Sequence, residues 1–256
     1  MLTNDYITSL AKTGKRLDTR KMDEYRKIQV EYGVSSKSAE GSARVKIGET
    51  EIIAGVKIDV GTPYPDKMDE GTIMVNAELL PMSSPRYESG PPSIDSIEIS
   101  RVVDRGIREC HALDFKKLCI VAGEKVWMVF IDIYPINADG NLFDACALAA
   151  IAALKDAKFP ALDKDNNIDY KTRTKNPLPI SKLPVSCTVL KVGGQFLVDP
   201  SIEEEDAATA RLTIAFTDSG NICAMQKGGD ESITFEEVSK MVDFAKKATE
   251  QMRKAL

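Results

Sequence analysis

The chain of 256 residues carries a formal net charge of −5 at pH 7, and 43% of its residues are hydrophobic. This length and composition suffice for one large domain or two small ones with a sizeable core, while the acidic balance argues against a protein that coats nucleic acid through bulk positive charge. Five cysteines without a Cys-x-x-Cys pair, together with a single histidine, favour reduced thiols over a disulfide framework or a metal site, and no cofactor motif is evident.

The N-terminal segment gives no sign of export or membrane insertion. Met1 to Ile7 lack a charged stretch followed by an apolar run, and no stretch of about 18 uninterrupted apolar residues occurs in the chain. The sequence therefore predicts a soluble, intracellular, cytoplasmic protein without a membrane partner.

Basic residues dominate the region just after the start. Asn4 and Asp5 are both suited to cap a first short helix. Between Lys12 and Lys27 the chain has seven basic residues and three acidic ones. We interpret this modest excess as a solvated surface rather than a contact for nucleic acid or a partner.

The next region predicts strands followed by a helix. Residues 43–47 and 51–60 form a hairpin with its turn at Gly48 and Glu49, and residues 72–79 return as a strand after a polar loop. Ser93 can then cap a helix that reaches about His111. Its apolar stripe consists of Ile99, Val103, Ile107 and Cys110.

Three arginines share another face of this helix. Arg101, Arg105 and Arg108 are spaced at i, i+4 and i+7, so their guanidinium groups align and could grip successive phosphates of a nucleic acid. The alternative is a solvated face in which Asp104 pairs with Arg108.

The middle of the chain predicts its most buried elements. Residues 118–121 and 126–134 form a hairpin whose second arm is apolar almost throughout, which is typical of a central strand covered on both faces. The helix that follows, Leu142 to about Lys158, is apolar nearly all round and therefore predicted to be buried against the sheet. Pro160 marks its end.

The last third returns to strands after an irregular segment. Residues 161–184 are rich in Asp, Asn, Lys and Pro and predict an extended surface excursion. Strand signals resume at 185–192, 195–199, 210–216 and 221–224, and Thr234 with Glu237 forms a capping box for a final helix. The alternation of strand groups and helices predicts a single α+β domain, residues 1–256, in two similar sheet-and-helix halves.

The turn at Asp139 and Gly140 carries a buried strand straight into the central helix. Such a helix start often holds an anion on its free N–H groups. With Asn141 as the N-cap, Asp144 falls at the third helical position, where its carboxylate is expected to accept those N–H groups. Residues Asn141, Leu142, Phe143 and Asp144 thus give the scaffold of a phosphate site without its chemistry.

The acidic run Glu203–Asp206 invites comparison with a metal site. Adjacent residues of a strand or helix point in different directions, so four in a row seldom converge on one ion. We interpret the run as a solvated acidic segment.

These motifs together resemble the RNase PH family over nearly the full chain, and their order and spacing carry the likeness. The matching segments are Arg16-Leu-Asp-Thr-Arg20 with Arg26, Gly41–Thr50, Ser96–Arg101, Asp139-Gly140 and Asp199–Asp206. The resemblance implies an RNase PH fold. Within the family, the chain is similar to non-catalytic subunits of the archaeal exosome.

The resemblance also locates the positions where active relatives keep their chemistry. Their turn leads into Asp-Gly-Gly-Thr-Arg, which holds the phosphate used in phosphorolysis, and the last three of those residues are replaced here by Asn141, Leu142 and Phe143. Their catalytic Asp falls on Arg211 or, counted from the acidic run, on Leu212. Neither side chain can act as a general acid or base near neutral pH, so the resemblance implies a subunit that is inactive by itself.

The resemblance implies two kinds of partner, a catalytic RNase PH-like paralogue and RNA-binding cap proteins. Three pairs of this chain with the paralogue would close a hexameric ring that degrades RNA from the 3′ end. This chain would help to structure the partner's active site and would contact RNA, with Arg101 and Arg105 as the first candidates. Two rival hypotheses remain open: an active phosphorolytic exoribonuclease that works as a homohexamer, and a scaffold whose arginines form only salt bridges.

Overall fold

The computed structural model describes residues 4–256, apart from the side chains of Tyr170, Lys171 and Arg173. Residues 1–3, which the predicted domain includes, lie outside the described residues. The α-helices of the described part are α1 Asn4–Lys12, α2 Ile94–Glu109, α3 Leu142–Asp156, α4 Ile202–Ala207 and α5 Phe235–Arg253. None of these helices combines the length and the apolar character needed to cross a membrane.

The first sheet has the order β1-β2-β3-β6-β4, with the short β5 paired to β6. Its strands are β1 Ile28–Tyr32, β2 Gly41–Ile47, β3 Thr50–Gly61, β4 Thr72–Ala77, β5 Cys119–Val121 and β6 Lys125–Asn137. The predicted hairpin of β2 and β3 is confirmed, and β6 lies between β3 and β4, as its apolar sequence predicts.

The prediction that β6 is covered on both faces is wrong. Its residues alternate between buried and half-buried positions, so only one face is fully packed. The apolar run is misleading because the half-buried positions also carry apolar or aromatic side chains, namely Met128, Phe130 and Tyr134.

The excursion predicted for residues 161–184 has regular structure over part of its length. Strands β7 Lys158–Leu162 and β8 Ile168–Pro177 pair as an antiparallel two-stranded sheet. The register shifts on both sides of Pro160. A broken register removes the alternation by which strands are recognised in a sequence, which explains why the pattern was missed.

The second sheet has the order β10-β9-β11-β12 and is antiparallel throughout. Its strands are β9 Val185–Val192, β10 Gln195–Val198, β11 Ala210–Phe216 and β12 Ile222–Gly228. Helix α5 packs against β9 and β11, and its predicted capping box of Thr234 and Glu237 is present.

Helix α3 lies between the two sheets. It contacts β2 and β3 of the first sheet and β9 of the second, and 12 of its 15 residues are buried. Gly41 of β2 lets the backbones approach closely, since a Cβ there would lie 2.5 Å from the carbonyl oxygen of Ala153 in α3. The predicted α+β class, with two sheet-and-helix halves, is confirmed, whereas the single-domain boundary stays a prediction.

Helix α2 begins as predicted, since the Ser93 hydroxyl accepts the Ser96 backbone N–H at 3.2 Å. The predicted stripe is buried against the core, and its members are Ile99, Val103, Ile107 and Cys110. This packing leaves the arginine-bearing face of α2 towards the surface.

A buried carboxylate, that of Asp199, ties the N-terminal segment to the rest of the chain. It accepts hydrogen bonds of 2.7–2.9 Å from the backbone and guanidinium of Arg26, the guanidinium of Arg20 and the side-chain amide of Asn141. Burial opposes its ionisation, but the hydrogen bonds from Arg26 prevail and hold the pKa of Asp199 below its ordinary value.

The N-terminal basic segment also supplies a buried ion pair. Arg16 is 4% exposed and donates two hydrogen bonds, of 2.9 and 2.6 Å, to the Glu204 carboxylate. Its remaining donors reach the carbonyls of Val198 and Asp199. Interpreting this segment as a solvated surface is therefore wrong for Arg16, whose acidic partner lies in the last quarter of the chain.

Replacing Asp199 by Asn should lower the free energy of unfolding by about 3 kcal/mol, because two largely buried guanidiniums would lose their buried counter-charge and keep only the exposed carboxylates of Asp18 and Asp139. Denaturant titration measures this loss. Asp206→Asn is the matched control, since its ion pair with Arg86 is exposed and should be worth about 1 kcal/mol or less. Similar losses in both variants would contradict a special role for the buried carboxylate.

Candidate functional site

The two positions at which active relatives keep their chemistry meet in one cavity. Asn141, Leu142 and Phe143 at the start of α3, and Arg211 on β11, line a space of about 220 Å³. Leu212, the alternative to Arg211, is 3% exposed and belongs to the hydrophobic core. Geometry therefore favours Arg211 as the residue that faces the site.

A carboxyl group from a distant segment accepts a hydrogen bond from the backbone N–H at the start of α3. The backbone N–H of Asn141 donates to Oε1 of Glu205 on α4 at 2.8 Å. Asn141 itself has left-handed backbone angles (φ 57, ψ 41), and its side chain forms no capping hydrogen bond to the helix. Burial raises the pKa of Glu205 to about 7. The anion at this helix start is part of the protein.

The expectation that Asp144 caps its own helix is wrong. Its side chain is fully buried, and its Oδ2 accepts the hydroxyl of Tyr25 at 2.6 Å rather than a backbone N–H of the helix start. Burial raises the pKa of Asp144 to about 7. The Asp144 carboxyl group points into the core because the Tyr25 hydroxyl donates a hydrogen bond to it there. At the helix start, Glu205 accepts the N–H of Asn141 instead.

The acidic run is not a solvated segment throughout. A capping box formed by Ser201 and Glu204 begins α4, and this helix turns Glu204 onto Arg16 and Glu205 into the cavity. Glu203 and Asp206 remain exposed. The Ser-x-x-Glu spacing was the sequence signal that could have predicted a helix here.

Arg211 lies over the ring of Phe143, with its guanidinium carbon 4.4 Å from the ring centroid. The same guanidinium forms an ion pair with Glu98 of α2. Asp95, from the first turn of α2, also lines the cavity. Since the one arginine is paired and two further carboxylates line the space, an incoming phosphate would meet net repulsion.

The three arginines of α2 have different surroundings. All three line a surface groove of about 310 Å³ beside β4. Arg108 is held by Asp104 at 2.8 Å and by the carbonyl of Ile73. Arg105 donates to the neutral amide of Gln226 at 2.7 Å.

Arg101 is exposed and has no hydrogen bond or ion pair within the described part of the chain. The salt-bridge alternative thus applies to Arg108. Arg101 and Arg105 keep their charge uncompensated by a carboxylate, so they remain the candidates for an external anion.

Replacing Asp144 by Asn should remove a pH dependence of stability. The folded chain holds the Asp144 proton up to a pH of about 7, whereas the unfolded chain releases it near pH 4, so ionisation favours unfolding as the pH rises between these values. The variant should therefore be more stable than the parent by about 4 kcal/mol at pH 8, with little gain at pH 4.

Denaturant titrations at the two pH values measure this difference. Asp243→Asn changes an exposed carboxylate of α5 and serves as the control that should leave the profile unchanged. An Asp144→Asn profile parallel to that of the parent would rule out the raised pKa.

Both halves of the chain match models of one family. The model described as 3′ exoribonuclease family, domain 1, matches residues 24–160, and the model of domain 2 matches residues 182–248.

Relatives that match over nearly the full chain are components of archaeal exosomes. The chain is 48% identical to the exosome complex component Rrp42 of Methanothermobacter thermautotrophicus, with 98% of this chain and 93% of that protein covered. It is also 48% identical to Rrp42 of Archaeoglobus fulgidus, with 98% and 96% covered.

Solved structures give the same result for the fold. A chain of the Archaeoglobus fulgidus exosome with RNA bound to the active site superposes with a TM-score of 0.90 at 47% identity, covering 98% of this chain and 96% of that one. A chain of an archaeal exosome core gives 0.86 at 45% identity, with 98% and 94% covered. The chain therefore belongs to the 3′ exoribonuclease family, the RNase PH family that its motifs resemble.

Proposed function

We propose that the chain is a non-catalytic subunit of an archaeal exosome, a ring that degrades RNA from the 3′ end with phosphate as the attacking group. In this proposal it pairs with a catalytic RNase PH-like paralogue in a hexamer of three such pairs, beneath RNA-binding cap proteins. The relatives and solved structures described above support the assembly. The hydrogen bond between Glu205 and the Asn141 N–H supports the absence of catalysis.

Phosphorolysis needs a bound phosphate next to the 3′-terminal linkage, and it needs donors and cations that stabilise the charge of the transition state. In this cavity the N–H of Asn141 is already used by Glu205. Among the described residues, the one arginine that lines it, Arg211, is paired with Glu98. A phosphate would have to displace one carboxylate and separate an ion pair before it could bind.

The strongest observation for the rival enzyme is Glu205 itself. A cavity carboxylate with a pKa of about 7 is suited to general acid and base catalysis. Here, however, burial is the main cause of the rise in pKa, which the hydrogen bond from the Asn141 N–H opposes, and the described residues that line the cavity include no unpaired cation. We therefore assign Glu205 to holding the helix start.

The groove beside α2 supports a role in RNA binding. Arg101 and Arg105 stand one helical turn apart and both are exposed, so their guanidiniums can reach neighbouring phosphates of one strand. The acidic net charge of the chain is compatible with such a local contact. Arg108 contributes less, because Asp104 holds it.

The chain alone should release no nucleoside diphosphates from RNA in phosphate buffer, whereas its mixture with the catalytic paralogue should. In the mixture, Glu205→Gln in this chain should leave the rate unchanged, since glutamine can still accept the Asn141 N–H. Chromatography of the products measures both results. Phosphate-dependent release by the chain alone, or a large loss with Glu205→Gln, would favour the active enzyme.

Arg101→Glu combined with Arg105→Glu should weaken RNA binding by the assembled ring and reduce the salt slope of log K by about one to two, as expected for one or two lost phosphate contacts. Fluorescence anisotropy at several salt concentrations measures both quantities. Lys164→Glu with Lys240→Glu makes the same change of charge at exposed sites outside the groove. Equal effects of the two pairs would support the scaffold alternative.

A further inference from the structure

Two cysteines meet where α2 contacts the second sheet. Cys110 is the C-cap residue of α2 and is 1% exposed, while Cys223 is half-buried on β12. Their thiol groups are neighbours, and each shifts the pKa of the other. The Sγ of Cys223 lies 3.3 Å from the carbonyl oxygen of Ala215 and 3.9 Å from that of Gly106. The thiol of Cys223 therefore packs on the turn of α2 that leads to Cys110.

The surrounding elements hold this pair in place. Helix α2 packs against β11 and β12, and Gly106, one helical turn before Cys110, lies at this contact. A Cβ on Gly106 would lie 3.6 Å from the Cβ of Ala215. Both cysteines thus sit on regular elements whose separation is fixed by packing.

The other thiols have different surroundings. Cys146 and Cys187 are buried in the core, and Cys187 accepts the hydroxyl of Tyr25 at 3.2 Å. Cys119 is half-buried at the start of β5. Cys223 is therefore the partly exposed member of the one thiol pair found among the described residues.

We propose that Cys110 and Cys223 form an oxidation site, which a low-molecular-weight disulfide such as oxidised glutathione converts into a disulfide bond between them. The Cys223 thiolate attacks one sulfur of the reagent, forms a mixed disulfide and releases one glutathione thiolate. Cys110 then loses its proton and attacks the Cys223 sulfur, releasing the second glutathione. The protein dithiol is oxidised, and one glutathione disulfide is reduced to two thiols.

The order of these steps follows from exposure and charge. Cys223 can be reached by a reagent, whereas Cys110 is enclosed. The neighbouring Cys110 thiol and the backbone N–H groups lower the pKa of the Cys223 thiol more than burial raises it, which favours the reactive thiolate. The pKa of Cys110 is raised by its contact with Cys223.

The bond would fasten the end of α2 to the second sheet and close a long loop of chain. Such a cross-link restricts the unfolded state, so the melting temperature should rise by roughly 5 to 15 °C. The site is separate from the cavity at α3, and the proposal does not depend on the function proposed above.

The test treats the reduced full-length chain with excess oxidised glutathione and follows its mass and melting temperature. The expected product has lost two hydrogen atoms, carries no glutathione, yields a cross-linked peptide pair containing Cys110 and Cys223, and melts higher until dithiothreitol is added. Cys110→Ser should instead stop at a glutathione adduct on Cys223, and Cys223→Ser should form no cross-link.

Cys119→Ser is the matched control and should behave like the parent. A parent chain that accumulates only the glutathione adduct, stays fully reduced, or cross-links other cysteines would overturn the proposal. Iodoacetamide labelling of the parent gives an independent reading, because oxidation should protect Cys110 and Cys223 together and leave Cys119 reactive.

Discussion

The position of the lost anion site depends on one buried interaction, the acceptance of five hydrogen bonds by the Asp199 carboxylate. Through it the N-terminal arginines and the turn before α3 are held against the segment that begins α4. The Arg16–Glu204 ion pair fixes α4 from the other side. These contacts bring Glu205 to the N–H of Asn141. The network that stabilises the fold thus also places a carboxyl group at the helix start where the resemblance implies a phosphate site in active relatives.

Two changes at the cavity support each other chemically. Glu205 accepts the N–H of Asn141 at the start of α3, while Arg211, at the position where the resemblance places a catalytic carboxylate in active relatives, is paired with Glu98. Arg211 also packs over Phe143, itself a replacement in the phosphate motif. In this cavity Arg211, Phe143 and Glu205 serve packing and charge balance. The basic face of α2 remains as the part of the surface suited to RNA.

The sequence predicted those elements whose cause is local. The all-round apolar pattern of α3 and the capping box at Thr234 each identify a helix without knowledge of its neighbours, and the motif order identifies the family. The wrong predictions at the site concern long-range pairing. Arg16 and Glu204 each look solvated until the partner is known, and the acceptor role expected of Asp144 belongs to Glu205. Chain proximity carries no information about such pairs, so only the fold reveals them.

The central question is whether the cavity at α3 accepts an anion. Crystals of the assembled ring soaked with tungstate above pH 7 test this directly, because the catalytic partner's own site provides an internal positive control. The account predicts heavy-atom density in the partner's site and none at the start of α3, with Glu205 still bonded to Asn141. Tungstate on the Asn141 N–H, with Glu205 displaced, would contradict it.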